Sequence, residues 1–300
     1  MGFLAKTPQM RNSKAALVVF LSGYVAALVA AYNFFDAPVV AIWLVICVSL
    51  IAILFMSFVF LVSSLVKRTD IVDIAWGLVF IVIACACWLL NDYDVNIGWN
   101  VQTITLILVI IWGLRLAITL FIRVKSRPED KRYVELRKKW KGSAALNTYV
   151  RIFVTQALLA VVISAAVIIA LTSPVQEPGI YTYIGAGVWL IGFMFEIVGD
   201  WQLKRFVSDS KNKGKVLNTG LWRYTRHPNY FGEATMWWGI FIIALSTYIG
   251  WLGIISPVII TFLLLFVSGV PMAEVALSKR KAWKSYKAQT SKFVPLPSRK

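Results

Sequence analysis

Histidine occurs once in this 300-residue chain, at His227, and cysteine three times, at Cys47, Cys85 and Cys87. Structural zinc takes four Cys or His ligands and haem a dedicated axial one, so no metal site is expected. Cys85 and Cys87 sit two apart in an apolar run. They point to different faces of a helix and read as small core- or lipid-facing residues, not as a disulfide. Charge is also scarce, at 15% of residues, where soluble domains carry about 25%. With 59% hydrophobic residues and a mean hydropathy of +0.73, a soluble domain is excluded and a polytopic membrane protein is expected. No cleavable leader is expected, because the first 14 residues are polar and basic and the apolar run behind them is long enough to span. There is no G-x-G-x-x-G after a strand and no Walker lysine loop, so a soluble nucleotide-binding fold is not expected either. No linker, low-complexity stretch or internal repeat divides the chain.

What is present is long apolar runs. Eight can be drawn, at about 15–34, 39–66, 71–90, 101–122, 149–172, 179–199, 234–249 and 251–270; a span needs roughly 20 such residues. The net charge of +17 tests the count. Of 31 Lys and Arg, 29 fall in five segments: the N-terminus, Lys67-Arg68, 123–148, 200–233 and the tail after 271. The intervening loops hold only Asp36, Asp92, Asp94 and Glu177. Basic loops stay on the cytoplasmic side, and eight spans put all five segments there. The reading is an all-α transmembrane bundle with both termini cytoplasmic: an extra N-terminal span over 1–38, then a membrane domain over 39–300. The basic charge reads as a topology signal and as attraction to anionic membrane lipid, not to nucleic acid. The tail 274–292 alternates Val275, Ala276, Leu277, Trp283 and Tyr286 with cations and predicts an amphipathic interfacial helix.

Ionisable groups within spans are costly and are functional candidates by default. They are Asp73, Arg115, Glu196, Asp200, Glu233 and Glu274, and on this topology all lie in the cytoplasmic half. Glu196 and Asp200 share a helix face four apart, an unfavourable pair unless Lys204 or a ligand donor stands between them. Loop 200–233 adds Lys204, Lys213, Lys215, Arg223 and Arg226, with Asn218, Trp222 and Tyr224. It ends in Thr-Arg-His-Pro-Asn-Tyr-Phe-Gly-Glu (225–233). Proline favours the first helical position, so His227 is expected to cap a helix starting at Pro228. A helix N-terminus ringed by cations suits a phosphate. The residues alone therefore predict a cytoplasmic pocket for a phosphorylated or charged cofactor.

The run G-L-W-R-Y-T-R-H-P-N-Y-F-G-E (220–233) resembles the C-terminal signature of the steroid 5-alpha-reductase-like membrane proteins, in particular their bacterial DUF1295 branch. D-I-V-D-I-A-W-G (70–77), W-G-L-R-L-A (112–117), E-D-K-R-Y (129–133), G-D-W-Q (199–202) and T-S-K-F-V-P (290–295) carry the same resemblance, which covers about 70–295. It implies an NADPH-dependent reductase that moves hydride to the β carbon of an enone in a steroid or other lipid while an acid pair polarises the carbonyl. By position it implies polar cofactor contacts at Glu196 and Asp200, a phosphate contact at Lys215, and Asn229 and Glu233 at the nicotinamide end. Asp73 falls near the carboxylate that meets the substrate carbonyl. Steroid reductases carry Gln-Glu where this chain has Val72-Asp73, a tyrosine where it has Trp112, and His and Tyr in the last helix where Glu274 stands nearby.

The combined expectation is an oxidoreductase of lipid metabolism, monomeric, in a bacterial inner membrane. Asp73, Tyr224, Tyr230 and Arg115 are the candidate carbonyl-polarising groups. Lys204, Lys213, Lys215, Asn218, Trp222, Tyr224, Arg226, His227, Asn229, Tyr230, Glu233 and Glu274 are expected around NADPH with Glu196 and Asp200. The alternatives are a membrane methyltransferase using S-adenosylmethionine, since R-H-P-x-Y occurs in such enzymes too, and a lipid or sterol binder without activity.

Overall fold

A computed structural model describes residues 38–90 and 97–298. The expected N-terminal span at 15–34, Asp36, and Asp92 and Asp94 lie outside the described residues. In chain order the helices are α1 Pro38–Val66, α2 Ile71–Leu89, α3 Val101–Lys125, α4 Lys131–Lys139, α5 Ala144–Ile163, α6 Ala165–Thr172, α7 Ile180–Ser208, α8 Pro228–Ala244, α9 Gly250–Leu277 and α10 Trp283–Gln289. No strand occurs among the described residues; one isolated bridge pairs Thr225 with Ser291.

Six of these helices, α1 (from Ile42), α2, α3, α5, α7 and α9, are long and apolar enough to cross a membrane. Helix α8 has 17 residues, which rise about 26 Å at 1.5 Å per residue, a little under the roughly 30 Å of a hydrocarbon core. Helix α1 exposes Trp43, Ile46, Leu50, Leu54, Phe58, Leu61 and Leu65. That is an unbroken apolar stripe at three- and four-residue steps, which a water-facing helix does not carry. The protein is a helical integral membrane protein.

The chain forms two compact units. In one (Ala37–Tyr183 and Ile240–Ser256) α2 packs closely on α3, because Gly77 and Gly113 face each other. A Cβ on Gly77 would stand 2.5 Å from the Gly113 carbonyl oxygen. Small residues allow this approach in membranes, where no water drives helices together. Phe80 sits edge-on to Trp76 and Trp112, at 5.2 and 5.3 Å. Helix α3 starts at Asn100, whose side chain accepts from the Thr103 amide at 2.7 Å, closing an N-cap. Helix α5 contains a π turn over Tyr149–Val154, where Tyr149 and Ser57 share a hydrogen bond of 2.8 Å.

The other unit holds residues 184–239 and 257–298. Glycines again set its packing. Gly192 of α7 and Gly232 of α8 meet backbone to backbone, each Cβ position 2.5–2.6 Å from the other's carbonyl oxygen. Gly239 lies as closely on Gly185 and Trp189. The expected single helix over 274–292 is broken. Residues 278–282 turn, closed by Arg280 N–H to the Leu277 carbonyl and Trp283 N–H to the Arg280 carbonyl. The turn coincides with Lys279-Arg280-Lys281, three adjacent cations that repel along a helix. It lets Trp283 and Tyr286 pack inward with Val216, not outward on lipid.

Candidate functional site

The stretch 225–233 is the centre of the second unit, and each residue has a distinct role. The Thr225 hydroxyl donates to the Phe293 carbonyl at 2.7 Å. The Arg226 amide donates to the Ser291 carbonyl at 2.9 Å, so the C-terminal tail is tied to this loop. Arg226 is buried, at 5% exposure. Its guanidinium donates to Glu274 Oε1 from Nε (2.9 Å) and Nη2 (2.7 Å), and from Nη1 to the carbonyls of Lys287 (3.1 Å) and Thr290 (2.7 Å). It also lies over the Trp283 ring at 5.7 Å. The sequence reading placed Arg226 on a cofactor phosphate. The structure instead commits it to a clamp joining α8's entry, α9 and α10.

Beside the clamp, His227 is 1% exposed and stacks on Tyr230, with ring centroids 5.4 Å apart. Its Nε2 stands 3.5 Å from Glu274 Oε1. Burial pushes the His227 pKa below its ordinary value, with Glu274 opposing; the imidazole is neutral near pH 7. Helix α8 begins at Pro228, where the ring's fixed φ suits the first helical position. Asn229 donates from Nδ2 to Asp200 Oδ1 at 3.1 Å. Its Oδ1 is a buried acceptor without a protein partner.

The motif 199–202 completes the local logic. Gly199 makes room for Pro228 and Asn229, and its carbonyl accepts from Trp222 Nε1 at 3.1 Å. Gln202 Oε1 accepts from the Leu221 amide at 3.0 Å. Gly220 sits over that side chain with φ +60°, where a Cβ would collide with it at 2.3 Å. Of the like-charge pair Glu196 and Asp200, Asp200 accepts from Asn229.

These residues border a cavity of about 170 Å³. Of the expected cofactor contacts, Lys215, Trp222, His227, Asn229 and Tyr230 line it; Tyr286 and Arg280 do so as well. The Arg280 guanidinium donates to the Lys215 carbonyl. Tyr286 donates its hydroxyl to the Trp222 carbonyl at 2.6 Å, and burial holds that phenol well above its usual pKa. The space admits one ring system with a cationic rim. Glu196 is buried in α7 against the bare backbone of Gly232, and Glu233 is half-buried. Lys204, Lys213 and Asn218 are exposed, and none of the three lines this cavity. Tyr224, expected as donor and cofactor contact, is 46% exposed and outside the lining; its carbonyl accepts from the Leu296 amide at 3.0 Å.

Asp73 and Arg115 belong to the first unit. Arg115 is half-buried on α3. Asp73 Oδ1 accepts from the Tyr133 hydroxyl at 2.5 Å, and Arg132 Nη2 lies 3.4 Å from Oδ2. Burial first, then the Asp73 charge, drives the Tyr133 pKa well above the phenol range, so Tyr133 keeps its proton and donates. The rest of 129–133 locks onto 68–70. Asp70 takes Arg68 at 3.1 and 2.8 Å and the Asp130 amide at 3.0 Å. The Thr69 amide donates to Glu129 at 2.7 Å, and Arg137 grips Glu129 with two bonds of 2.6 Å. That fork holds the Glu129 carboxyl below its ordinary pKa. Tyr133, Glu129 and Arg137 were absent from the candidates read in the sequence. The signal was there, in two polar motifs flanking the pair of helices α2 and α3, but nothing in a linear reading pairs residues 60 apart.

Two features define the class: a bundle of apolar helices, and a largely apolar pocket lined by the chain's one histidine at the foot of one of them. The chain belongs to the family described as DUF1295, proteins of unknown function, whose model matches residues 59–291. It is similar to the Schizosaccharomyces pombe protein named "Uncharacterized protein C594.04c", at 22% identity over 271 residues, covering 78% of this chain and 74% of that one. No solved structure matches.

Proposed function

We propose that the protein is an NADPH-dependent membrane reductase of the steroid 5-alpha-reductase-like type, acting on the C=C bond of an enone in a steroid or other lipid. The observation that carries the reading is the His227 cavity. Its walls mix the rings of Phe206, Trp222, Tyr230 and Tyr286 with aliphatic side chains such as Leu203 and Leu217, its rim holds Lys215 and Arg280, and Asn229 Oδ1 is a buried acceptor with no donor among the described residues. An aromatic ring bearing an N–H donor, such as a carboxamide, with an anion beyond it, satisfies all three. S-adenosylmethionine has the ring but carries a sulfonium cation and no phosphate, which the rim disfavours.

Held by Lys215, Trp222, His227, Asn229 and Tyr230, NADPH would supply hydride to the β carbon, and water would supply the α proton of the saturated ketone. The chain's own task is to hold the cofactor and to place a donor where negative charge grows on the carbonyl oxygen. Tyr230, in the cavity wall, is one candidate. Asp73, the candidate in the other unit, accepts from the Tyr133 hydroxyl and faces Arg132. The topology in this reading has eight spans, counting 15–34 and the 17-residue α8, with both termini and the cofactor loop in the cytoplasm of a bacterial cell, the protein in the inner membrane as a monomer.

The test is isotopic. With 4R- and 4S-deuterated NADPH and a panel of enone lipids, deuterium is expected at the β carbon of a reduced product. Glu233→Gln is expected to lose cofactor affinity while its thermal unfolding stays that of the wild type. Unchanged affinity removes Glu233 from the site. NADPH binding with no enone reduced would favour a lipid or sterol binder.

A further inference from the structure

A second cavity, of about 390 Å³, lies between loop residues 218–223 and the C-terminal tail. Its chemistry differs from that of the His227 cavity, with which it shares only Tyr286. Apart from Tyr286 and Gly220, its walls are hydroxyls, amides and one guanidinium: Asn218, Thr219, Arg223, Gln289, Thr290 and Ser298. No carboxylate among the described residues lines it. Arg223 makes no ion pair or side-chain hydrogen bond among the described residues, unlike Arg226 three positions on. An unpaired guanidinium facing amides and hydroxyls offers donors and no competing acceptor charge.

The backbone on both sides of the cavity is held in place, while the side chains of Asn218, Arg223 and Gln289 are exposed. Tyr286 is anchored on the Trp222 carbonyl, the Thr290 carbonyl on Arg226, and the Phe293 carbonyl of the tail on Thr225. Gly220, at positive φ over Gln202, sets the loop's path. Arginine's fork matches a tetrahedral oxyanion better than a point charge does.

We propose that this cavity is a phosphate-ester site anchored by Arg223, separate from the His227 cavity and independent of the reductase reading. The phosphate has two possible sources, a soluble phosphate compound or a phospholipid headgroup. The purified full chain is titrated with inorganic phosphate by calorimetry. In parallel, native mass spectrometry reads retention of phosphatidic acid against phosphatidylcholine. Arg223→Gln is expected to weaken whichever ligand binds by about tenfold or more, the scale of a lost charge-assisted hydrogen bond. Lys279→Gln, which removes an exposed cation outside the cavity, is expected to change it less than twofold. Phosphate binding without lipid retention assigns the soluble source, and the reverse assigns the lipid. Equal losses in both variants would reduce the effect to diffuse positive charge and overturn the site. So would a wild type that binds neither probe, or an Arg223→Gln protein that binds like wild type. Gln289→Ala, expected to weaken binding less than Arg223→Gln, checks that the tail wall takes part.

Discussion

Replacing Arg226 separates a clamp from a phosphate ligand. The side chains of Arg226 and Glu274 are 6% and 17% exposed, and the guanidinium also serves the Lys287 and Thr290 carbonyls. Arg226→Met keeps the bulk over Trp283 but leaves the Glu274 carboxylate and two carbonyls without their donor. Breaking one side of a buried pair costs about 3–5 kcal/mol. A lost bond to a buried carbonyl costs about 1–3 kcal/mol, and the two overlap because one group serves both. The expected destabilisation is about 4 kcal/mol, near a thousandfold in the folded ratio. Glu274→Gln should cost less, since Arg226 keeps both carbonyls. The double variant should cost less than the sum, because the stranded carboxylate is gone. Reversible unfolding in mixed micelles measures all three, and protease cutting after residue 278 reports release of the tail. An Arg226→Met protein within about 1 kcal/mol of wild type, with an intact tail but lost NADPH affinity, would refute the clamp and restore the phosphate role.

Three other outcomes follow from the packing and the charges. Gly232→Ala places a methyl 2.5–2.6 Å from the Gly192 and Glu196 backbones; it should lower stability by about 1–3 kcal/mol. Gly187→Ala, which meets nothing within 4 Å, should be neutral or slightly stabilising; equal effects would contradict the close crossing of α7 and α8. Glu129 is held below the usual carboxylate pKa by Arg137, so its contribution is full above that usual value and fades as pH falls through the lowered one. Hydrogen exchange at the Thr69 amide should quicken over that window, and Glu129→Gln should abolish the pH dependence. His227 is depressed by burial, so stability should be full above its ordinary pKa of about 6.5 and decline on acidification below it. A His227→Gln protein with the same acid profile would assign the decline elsewhere.

The membrane helices were legible because bilayer thickness and a 3.6-residue turn leave few ways to read long apolar runs, and Pro228 announced its helix through its fixed φ. The glycines of 192, 199 and 232 carried no readable partner, since close approach is a property of two helices and the sequence shows one at a time. Arg226 looked like a phosphate ligand because a linear reading sees its charge but not Glu274, 48 residues on, or the carbonyls ending α10. Tyr224 sits in the densest motif, yet its carbonyl, not its ring, makes the contact with the tail. Asp73 was read as a candidate carbonyl-polarising acid without its partners, because Tyr133 and Arg132 reach it from beyond a whole span.

The central claim is that the His227 cavity serves a phosphorylated nicotinamide cofactor. It is tested most directly by titrating the purified, detergent-solubilised chain with NADPH, NADH and S-adenosylmethionine in parallel, following tryptophan quenching, since Trp222 lines the cavity. The account predicts saturable NADPH binding, tighter than NADH, that is lost in Asn229→Ala, which removes the buried acceptor of the cavity. Tight S-adenosylmethionine binding with no response to either dinucleotide would contradict it.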